Sequence, residues 1–215
     1  MDKVITEDRS VTFYNERYAE HYHSLSGAEE EAVKKFAEQS DIPKFVEKDK
    51  QIDILDICFG LGYNSAAVID KIRRYSKDVQ VSVVGLENDK FILDKIKDIN
   101  SNFISYSLIK EAASSLSACK DKISVNIILA DALESIKMLD QRFDIILLDP
   151  FSPKKCPELW TLEFLKDVRK VCRDDAVLTT YSCARVVRDN LKAAGFSVKD
   201  GACVGRKAPS TVAFV

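Results

Sequence analysis

From Gln51 onward the chain alternates short apolar runs with longer amphipathic stretches. The runs are 52–58, 79–86, 124–130, 143–148 and 176–181, mostly rich in β-branched residues. That is the pattern of strands buried on both faces. Between them lie helical patterns. Residues 63–75 carry Ala67, Val68 and Ile72 on one face, and 90–99 carry Phe91, Ile92, Ile96 and Ile99. Residues 157–172 begin with Pro157 at a first helical turn, then repeat Leu159, Trp160, Phe164, Leu165, Val168 and Val171. Residues 184–194 form a last helix, stopped by Gly195. Alternating strands and helices predict an α/β fold, a mostly parallel, doubly wound sheet with right-handed crossovers. The end of the chain departs from this. Residues 196–204 and 210–215 read as strands joined by the turn Gly205-Arg206-Lys207-Ala208-Pro209, an antiparallel hairpin. The whole makes a seven-stranded sheet, mostly parallel, that ends in this hairpin.

Composition changes this picture little. The 215 residues suit one large α/β domain, 46% hydrophobic and 31% charged. With 32 basic against 34 acidic residues, overall charge makes no case for a nucleic-acid binder, although a local basic face stays open. The six cysteines form no Cys-x-x-Cys pair, so zinc and redox motifs find no support. The first residues lack the apolar core of a signal peptide, and no run approaches a membrane span. A cytoplasmic protein with reduced thiols is expected.

The first strand runs into Asp56-Ile57-Cys58-Phe59-Gly60-Leu61-Gly62-Tyr63-Asn64. Glycine in a strand-to-helix turn lets a ligand sit against the backbone, at the carboxyl strand ends where open α/β sheets bind ligands. Gly60-x-Gly62 alone is equally a tight turn. Ser65 stands where a dinucleotide fingerprint wants its third small residue, a poor match. S-adenosylmethionine carries no phosphate, and its amino-acid tail can be held by such a backbone. Glu87 and Asp131 stand at the tips of two later strands. The first can accept from ribose hydroxyls and the second from an adenine amine, or each can cap a helix. Three such features in chain order favour S-adenosylmethionine, and the mostly parallel seven-stranded sheet ending in an antiparallel hairpin resembles the Rossmann-like class I S-adenosylmethionine-dependent methyltransferase fold rather than a nicotinamide-binding fold.

The fourth strand ends in Asp149-Pro150-Phe151-Ser152-Pro153. This resembles the Asp/Asn-Pro-Pro-aromatic motif of methyltransferases that modify exocyclic amines. A carboxylate there can orient N–H bonds and accept developing positive charge. The longer stretch through Cys156-Pro157-Glu158-Leu159-Trp160-Thr161 resembles Asp-x-Phe-x-Pro-x-x-x-Pro-x-x-Trp in the methyltransferase part of MnmC-type proteins. Phe59-Gly60-Leu61-Gly62-Tyr63-Asn64 is similar to the Phe-Gly-x-Gly-x-Asn of that family, and Thr12-Phe13-Tyr14 with 21–31 is similar to its opening segment. Gly205-Arg206-Lys207 resembles its terminal hairpin.

The resemblance implies methyl transfer from S-adenosyl-L-methionine to the amine of 5-aminomethyl-(2-thio)uridine at the tRNA wobble position. Carried over by position, Gly60, Gly62, Asn64, Glu87, Asp131, Ala132 and Asp149 hold the cofactor. Glu31 and Tyr14 close the site, and Asp149 with Phe151 meets the substrate amine. Residues 1–50 are expected to pack over the active site of a methyltransferase domain spanning 51–215. Residues for an FAD-dependent oxidase domain, present in well-known members, are not found here. The expected partner is tRNA, with no membrane, no metal and no FAD. Two other readings use the same residues: an N-methyltransferase of a small, polyamine-type amine, or a non-catalytic S-adenosylmethionine-binding module.

Several residues have blander readings. His21 and His23 lack a third metal ligand at readable spacing. Trp160 fits the core better than a substrate platform. Cys58 and Cys156 flank the site as small hydrophobes. Lys154, Lys155, Arg185, Arg188, Arg206 and Lys207 are expected near the carboxyl edge of the sheet, either as tRNA phosphate contacts or as solvated charge.

Overall fold

A computed structural model describes residues 2–204 and 208–215. The expected turn at Gly205-Arg206-Lys207 lies outside the described residues. The chain opens with three short strands, β1 (Lys3–Ile5), β2 (Val11–Asn15) and β3 (Glu20–His21), in one antiparallel sheet. Then come α1 (Ala28–Glu31), which continues as a π-helical turn over Ala32–Ala37, and α2 (Ile42–Lys48). The alternating part follows as β4 (Gln51–Ile57), α3 (Tyr63–Tyr75), β5 (Gln80–Glu87), α4 (Lys90–Ile96), α5 (Tyr106–Ser115), β6 (Ser117–Lys120) and β7 (Ile123–Leu129). It ends with α6 (Ala132–Ser135), β8 (Phe143–Leu148), α7 (Leu162–Lys170), β9 (Cys172–Thr180), α8 (Arg185–Ala193), β10 (Ser197–Asp200) and β11 (Thr211–Phe214).

The large sheet has the order β10-β11-β9-β8-β4-β5-β7-β6. β4, β5, β7, β8 and β9 are mutually parallel, and β11 inserts antiparallel between β9 and β10. This is the expected mostly parallel sheet with its terminal hairpin. An eighth strand, β6, adds an antiparallel edge beside β7. It is short and polar (Ser-Ala-Cys-Lys), so no apolar run announces it.

Both faces of the sheet are covered. One carries α3, α5 and the N-terminal helices, with Phe36, Ile42 and Phe45 in the same buried cluster as Ile52, Ile54, Ile69 and Ile109. The other carries α7 and α8, with Trp160, Phe164, Leu165, Val187 and Leu191 against Leu55, Ile57, Ile146 and Leu148. Burial on both faces explains why the central strands read as continuous apolar runs. The expected helix over 157–172 is instead a 3₁₀ turn at Pro157–Trp160 followed by α7. Thr161 leaves helical geometry and its side chain accepts from Phe164 N, which starts a new helix. Cys172 already belongs to β9.

At the amino end of the sheet, Arg173 bridges two buried carboxylates, Asp53 (2.6 Å) and Asp144. Asp144 also accepts from Asp53 N at 2.8 Å. Burial holds the Asp144 carboxyl above its ordinary value despite the guanidinium. Arg173→Met therefore strands two buried charges and is expected to cost roughly 2 kcal/mol, reduced from the fully buried case because the guanidinium reaches water. A carboxyl with a raised pKa is least costly when protonated. The deficit should shrink as pH falls towards 4 and grow above it, measured by denaturant unfolding across pH. A pH-independent deficit would contradict this.

Candidate active site

β4 lies between β5 and β8, and the chain turns to opposite sides of it on leaving the two strands. A crevice at the carboxyl ends follows from that reversal. Here it is a cavity of about 970 Å³. The loops after β4, β5, β7 and β8 form one wall, and residues 15–25 with Glu31 and Lys35 form the other.

The glycine loop is wound by three left-handed residues: Cys58 (φ 66°), Gly60 (φ 53°) and Gly62 (φ 73°). Its pin is the buried ring of Phe59. A Cβ on Gly85 would stand 2.6 Å from that ring, and one on Gly62 would meet it at 2.9 Å and Ile109 at 2.5 Å. Gly62 and Gly85 thus make room for Phe59. Gly62 begins α3 and is not part of the cavity wall. Gly60 is in the wall. A Cβ there would stand 3.5 Å from the ring of Tyr22, another lining residue.

Glu87, at the tip of β5, shapes the loop: Oε2 accepts from Gly60 N (2.8 Å), and Oε1 from Asn88 N and Asp89 N. Burial raises its pKa, with the backbone donors working against that. Asp131 caps α6 through Leu133 N (2.9 Å) and also lines the cavity with Ala132, so cap and wall coexist in one residue. Asp56 is fully buried and accepts from Ser65 Oγ at 2.6 Å, while its Oδ1 has no partner. Burial lifts it to about 7. Ser65, the position that weakened a dinucleotide reading, thus ties α3 to β4.

Asp149 lies at the end of β8, beside β4, where its N–H donates to Ile57 O. Its Oδ2 accepts from Asn64 Nδ2 at 2.8 Å. Desolvation raises its pKa well above the usual carboxylate range, and Glu31 adds to the rise. Asn64 stands behind Asp149 as its support. The Phe151 ring lines the cavity, stacked on Tyr18 (4.4 Å between centroids) and met edge-on by Tyr22 (5.0 Å). The backbone of this loop is tied down as well: Trp160 Nε1 donates to Phe151 O (2.8 Å), and Tyr181 Oη to Pro150 O (3.0 Å). Trp160 is thus both core and strut.

The N-terminal wall was largely silent in sequence. Glu20 accepts from Ser152 N (2.9 Å) and from Ser152 Oγ. Tyr22 Oη donates to Asp89 Oδ2 (3.1 Å) and accepts from Asn15 Nδ2 (3.0 Å). Glu31 accepts from Ser24 N through one oxygen and from Lys35 Nζ through the other, at 2.6 Å. His23 is buried edge-on against Tyr63, and its Nδ1 has no partner. Burial lowers its pKa to about 4. Tyr14 sits just outside the lining, its ring against His21. The i,i+4 spacing of Glu31 and Lys35 and the Tyr-x-x-x-Tyr spacing of Tyr18 and Tyr22 were the available signals. Among the basic residues, Arg188 is committed to Asp200, Thr211 and Ser210, and so fastens α8 to the terminal hairpin. Arg206 and Lys207 lie outside the described residues. Among the described residues no group of three or more His, Cys, Asp or Glu could hold a metal ion, and no helix is long and apolar enough to cross a membrane.

Eight carboxylates line the cavity, against Arg17 and Lys35, among the described residues. Such a lining suits a cationic ligand. The volume suits a nucleoside-sized one. S-adenosylmethionine has a sulfonium and an ammonium and meets both conditions.

The sequence signature described as S-adenosyl-L-methionine-dependent methyltransferase matches residues 95–215. The crystal structure of MNMC2 from Aquifex aeolicus superposes with a TM-score of 0.84 at 31% identity, over 99% of this chain and 69% of that one. An uncharacterized protein of Methanocaldococcus jannaschii is 32% identical over 98% of this chain. The tRNA 5-methylaminomethyl-2-thiouridine biosynthesis bifunctional protein MnmC of an Azoarcus species is 26% identical over 91% of it. This chain spans 58% of the first of these two relatives and 33% of the second. It belongs to the S-adenosyl-L-methionine-dependent methyltransferase family, in its MnmC-like branch. Its methyl donor is S-adenosyl-L-methionine.

The two loop glycines should separate packing from binding. Gly62→Ala is expected to cost about 2–4 kcal/mol through overpacking and left-handed strain, and Gly60→Ala about 1–2 kcal/mol from its left-handed φ. Gly60→Ala should weaken S-adenosylhomocysteine binding more than Gly62→Ala does. Thermal unfolding and calorimetric titration read the two effects, and the reverse ranking would refute the division.

Proposed function

We propose that the chain methylates the amine of 5-aminomethyl-(2-thio)uridine at the tRNA wobble position. The observation that carries this is Asp149-Pro150-Phe151, held at the cavity floor by Asn64, Trp160 and Tyr181. A primary amine is an ammonium ion near neutral pH and has no lone pair to offer. A carboxylate with a raised pKa is a suitable acceptor for the proton it must lose. Bound S-adenosylmethionine supplies a methyl group on a positively charged sulfur. Asp149 orients the amine N–H bonds and takes up the departing proton, directly or through water. Asn64 fixes the rotamer of Asp149, and Phe151 with Tyr18 offers aromatic surface beside it.

In this reading Gly60, Glu87, Asp131 and Ala132 bind the nucleoside part of the donor. Gly62 and Asn64 support the loop, and Glu31 faces the amino-acid part. Tyr14 supports the wall from behind. Residues 1–50 serve as the cover of the site carried by 51–215. Lys154 and Lys155, exposed beside the Asp149 loop, are placed to meet phosphate. The protein acts in the cytoplasm, where its tRNA is.

A second reading keeps the chemistry and replaces the nucleotide by a small polyamine-type amine. The acid-rich lining favours it, because eight carboxylates repel phosphate as well as attract amines. Mass analysis of wobble nucleosides separates the two. Incubation with S-adenosylmethionine and tRNA bearing 5-aminomethyluridine should add one methyl group. Methylation of free polyamines with unchanged tRNA would reverse the assignment.

Asp149→Asn keeps the bond to Asn64 and removes the charge. Turnover should fall about 10²–10⁴-fold, with S-adenosylhomocysteine affinity changed far less. The folded state raises the pKa of this acid, so its ionisation costs stability once pH rises above the unfolded value. The ligand-free Asn variant should therefore be more stable than the parent, by a margin that grows from pH 4 to pH 8. An equally active variant, or one less stable at pH 8, would sink the role given to Asp149.

A further inference from the structure

We infer that Lys35 binds the carboxylate of the donor's amino-acid head, and so makes that carboxylate a condition for tight binding. The inference rests on family membership and not on the identity of the methyl acceptor. Lys35 is nearly inaccessible, with 3% of its side chain exposed, yet it lines the cavity. Among the described residues its hydrogen-bond partner is Glu31 Oε1, which engages one of three ammonium protons. A buried ammonium with protons unspent calls for further acceptors.

The surroundings narrow the choice. Lys35 and Arg17 are the cations of the wall among the described residues. Arg17 is exposed at the tip of the turn between β2 and β3, its guanidinium over the Tyr18 ring. Lys35 lies deep, close enough to Asp149 to act on its titration. An α-amino acid head carries one anion and one cation side by side. Glu31 and Lys35, one helical turn apart, present the opposite pair: a carboxylate for the ammonium and an ammonium for the carboxylate. The segment that carries Lys35 is wound as a π turn, with Glu38 N bonded to Val33 O at 2.8 Å. Such turns recur at functional sites. The neighbouring carboxylates repel a ligand carboxylate, so Lys35 must supply the attraction.

S-adenosylmethionine and its decarboxylated form differ only in this group, so they are the test pair. The wild-type chain should bind S-adenosylmethionine about 10- to 100-fold more tightly in calorimetric titration, the worth of a charge-assisted hydrogen bond. In Lys35→Met the preference should fall to about twofold or less, with affinity for the decarboxylated form little changed. Lys35→Arg should keep part of it. If loss of the cation alone prevents folding, Glu31→Gln/Lys35→Met removes both charges together and should show the same collapse of preference. Equal wild-type affinity for the two ligands overturns the inference, and so does a preference that survives the loss of Lys35.

Discussion

A hydrogen bond of 2.8 Å from Asn64 Nδ2 to Asp149 Oδ2 fastens the two loops on which the site depends. One follows β4 and carries the left-handed glycine turn. The other follows β8 and carries Asp149, the carboxylate proposed to act on the amine. They meet because β4 and β8 are neighbours at the reversal of strand order, with Asp149 N also donating to Ile57 O. The bond sits in low dielectric, where it is strong and where its loss would strand a charge. The two loops are therefore tied together as one unit at the floor of the cavity. The aromatic props Trp160 and Tyr181 hold the same unit from the opposite face of the sheet.

That unit is polar where the rest of the sheet is apolar, and the contrast has a cost. Asp56, Glu87 and Asp149 are all held above their ordinary carboxyl values by burial. Their unfavourable solvation is offset by the burial of the two apolar layers that flank the sheet. The arrangement stores at the site the cation affinity that a sulfonium and an amine need.

The sequence made the frame legible because each element has one dominant signal. β4, β5, β7, β8 and β9 are buried on both faces, and α3 keeps one apolar stripe. β6 was illegible for the opposite reason. It is short and polar, and pairing with β7 rather than pattern holds it. Within the site, Gly60, Glu87, Asp131, Asp149 and Phe151 were readable because they end strands. Tyr18, Glu20 and Tyr22 were not, since they act through Phe151, Ser152 and Asp89, more than sixty positions away. Gly62 illustrates a subtler limit. A motif glycine that lines the cavity and one that yields space to Phe59 look identical in sequence, and only the surroundings, Gly85 and Ile109 among them, separate them.

The N-terminal wall shows how the cavity can be both acid-rich and compatible with a nucleotide. Glu20 is neutralised in effect by donors from Ser152, Glu31 by Lys35 and Ser24, and Glu87 by three backbone N–H groups. Part of their charge is thus already engaged in holding the wall and the loops together. On the side of the methyl acceptor, the proposed reading leaves Asp149, with the stacked rings of Tyr18 and Phe151 beside it. A flat base carrying an amine can satisfy the rings and Asp149 together while its phosphates stay outside, near Lys154 and Lys155. A flexible polyamine can satisfy the carboxylates but makes no use of the aromatic surface of Tyr18 and Phe151. It is this aromatic pair, more than the net charge of the lining, that supports the proposed nucleoside acceptor over the polyamine.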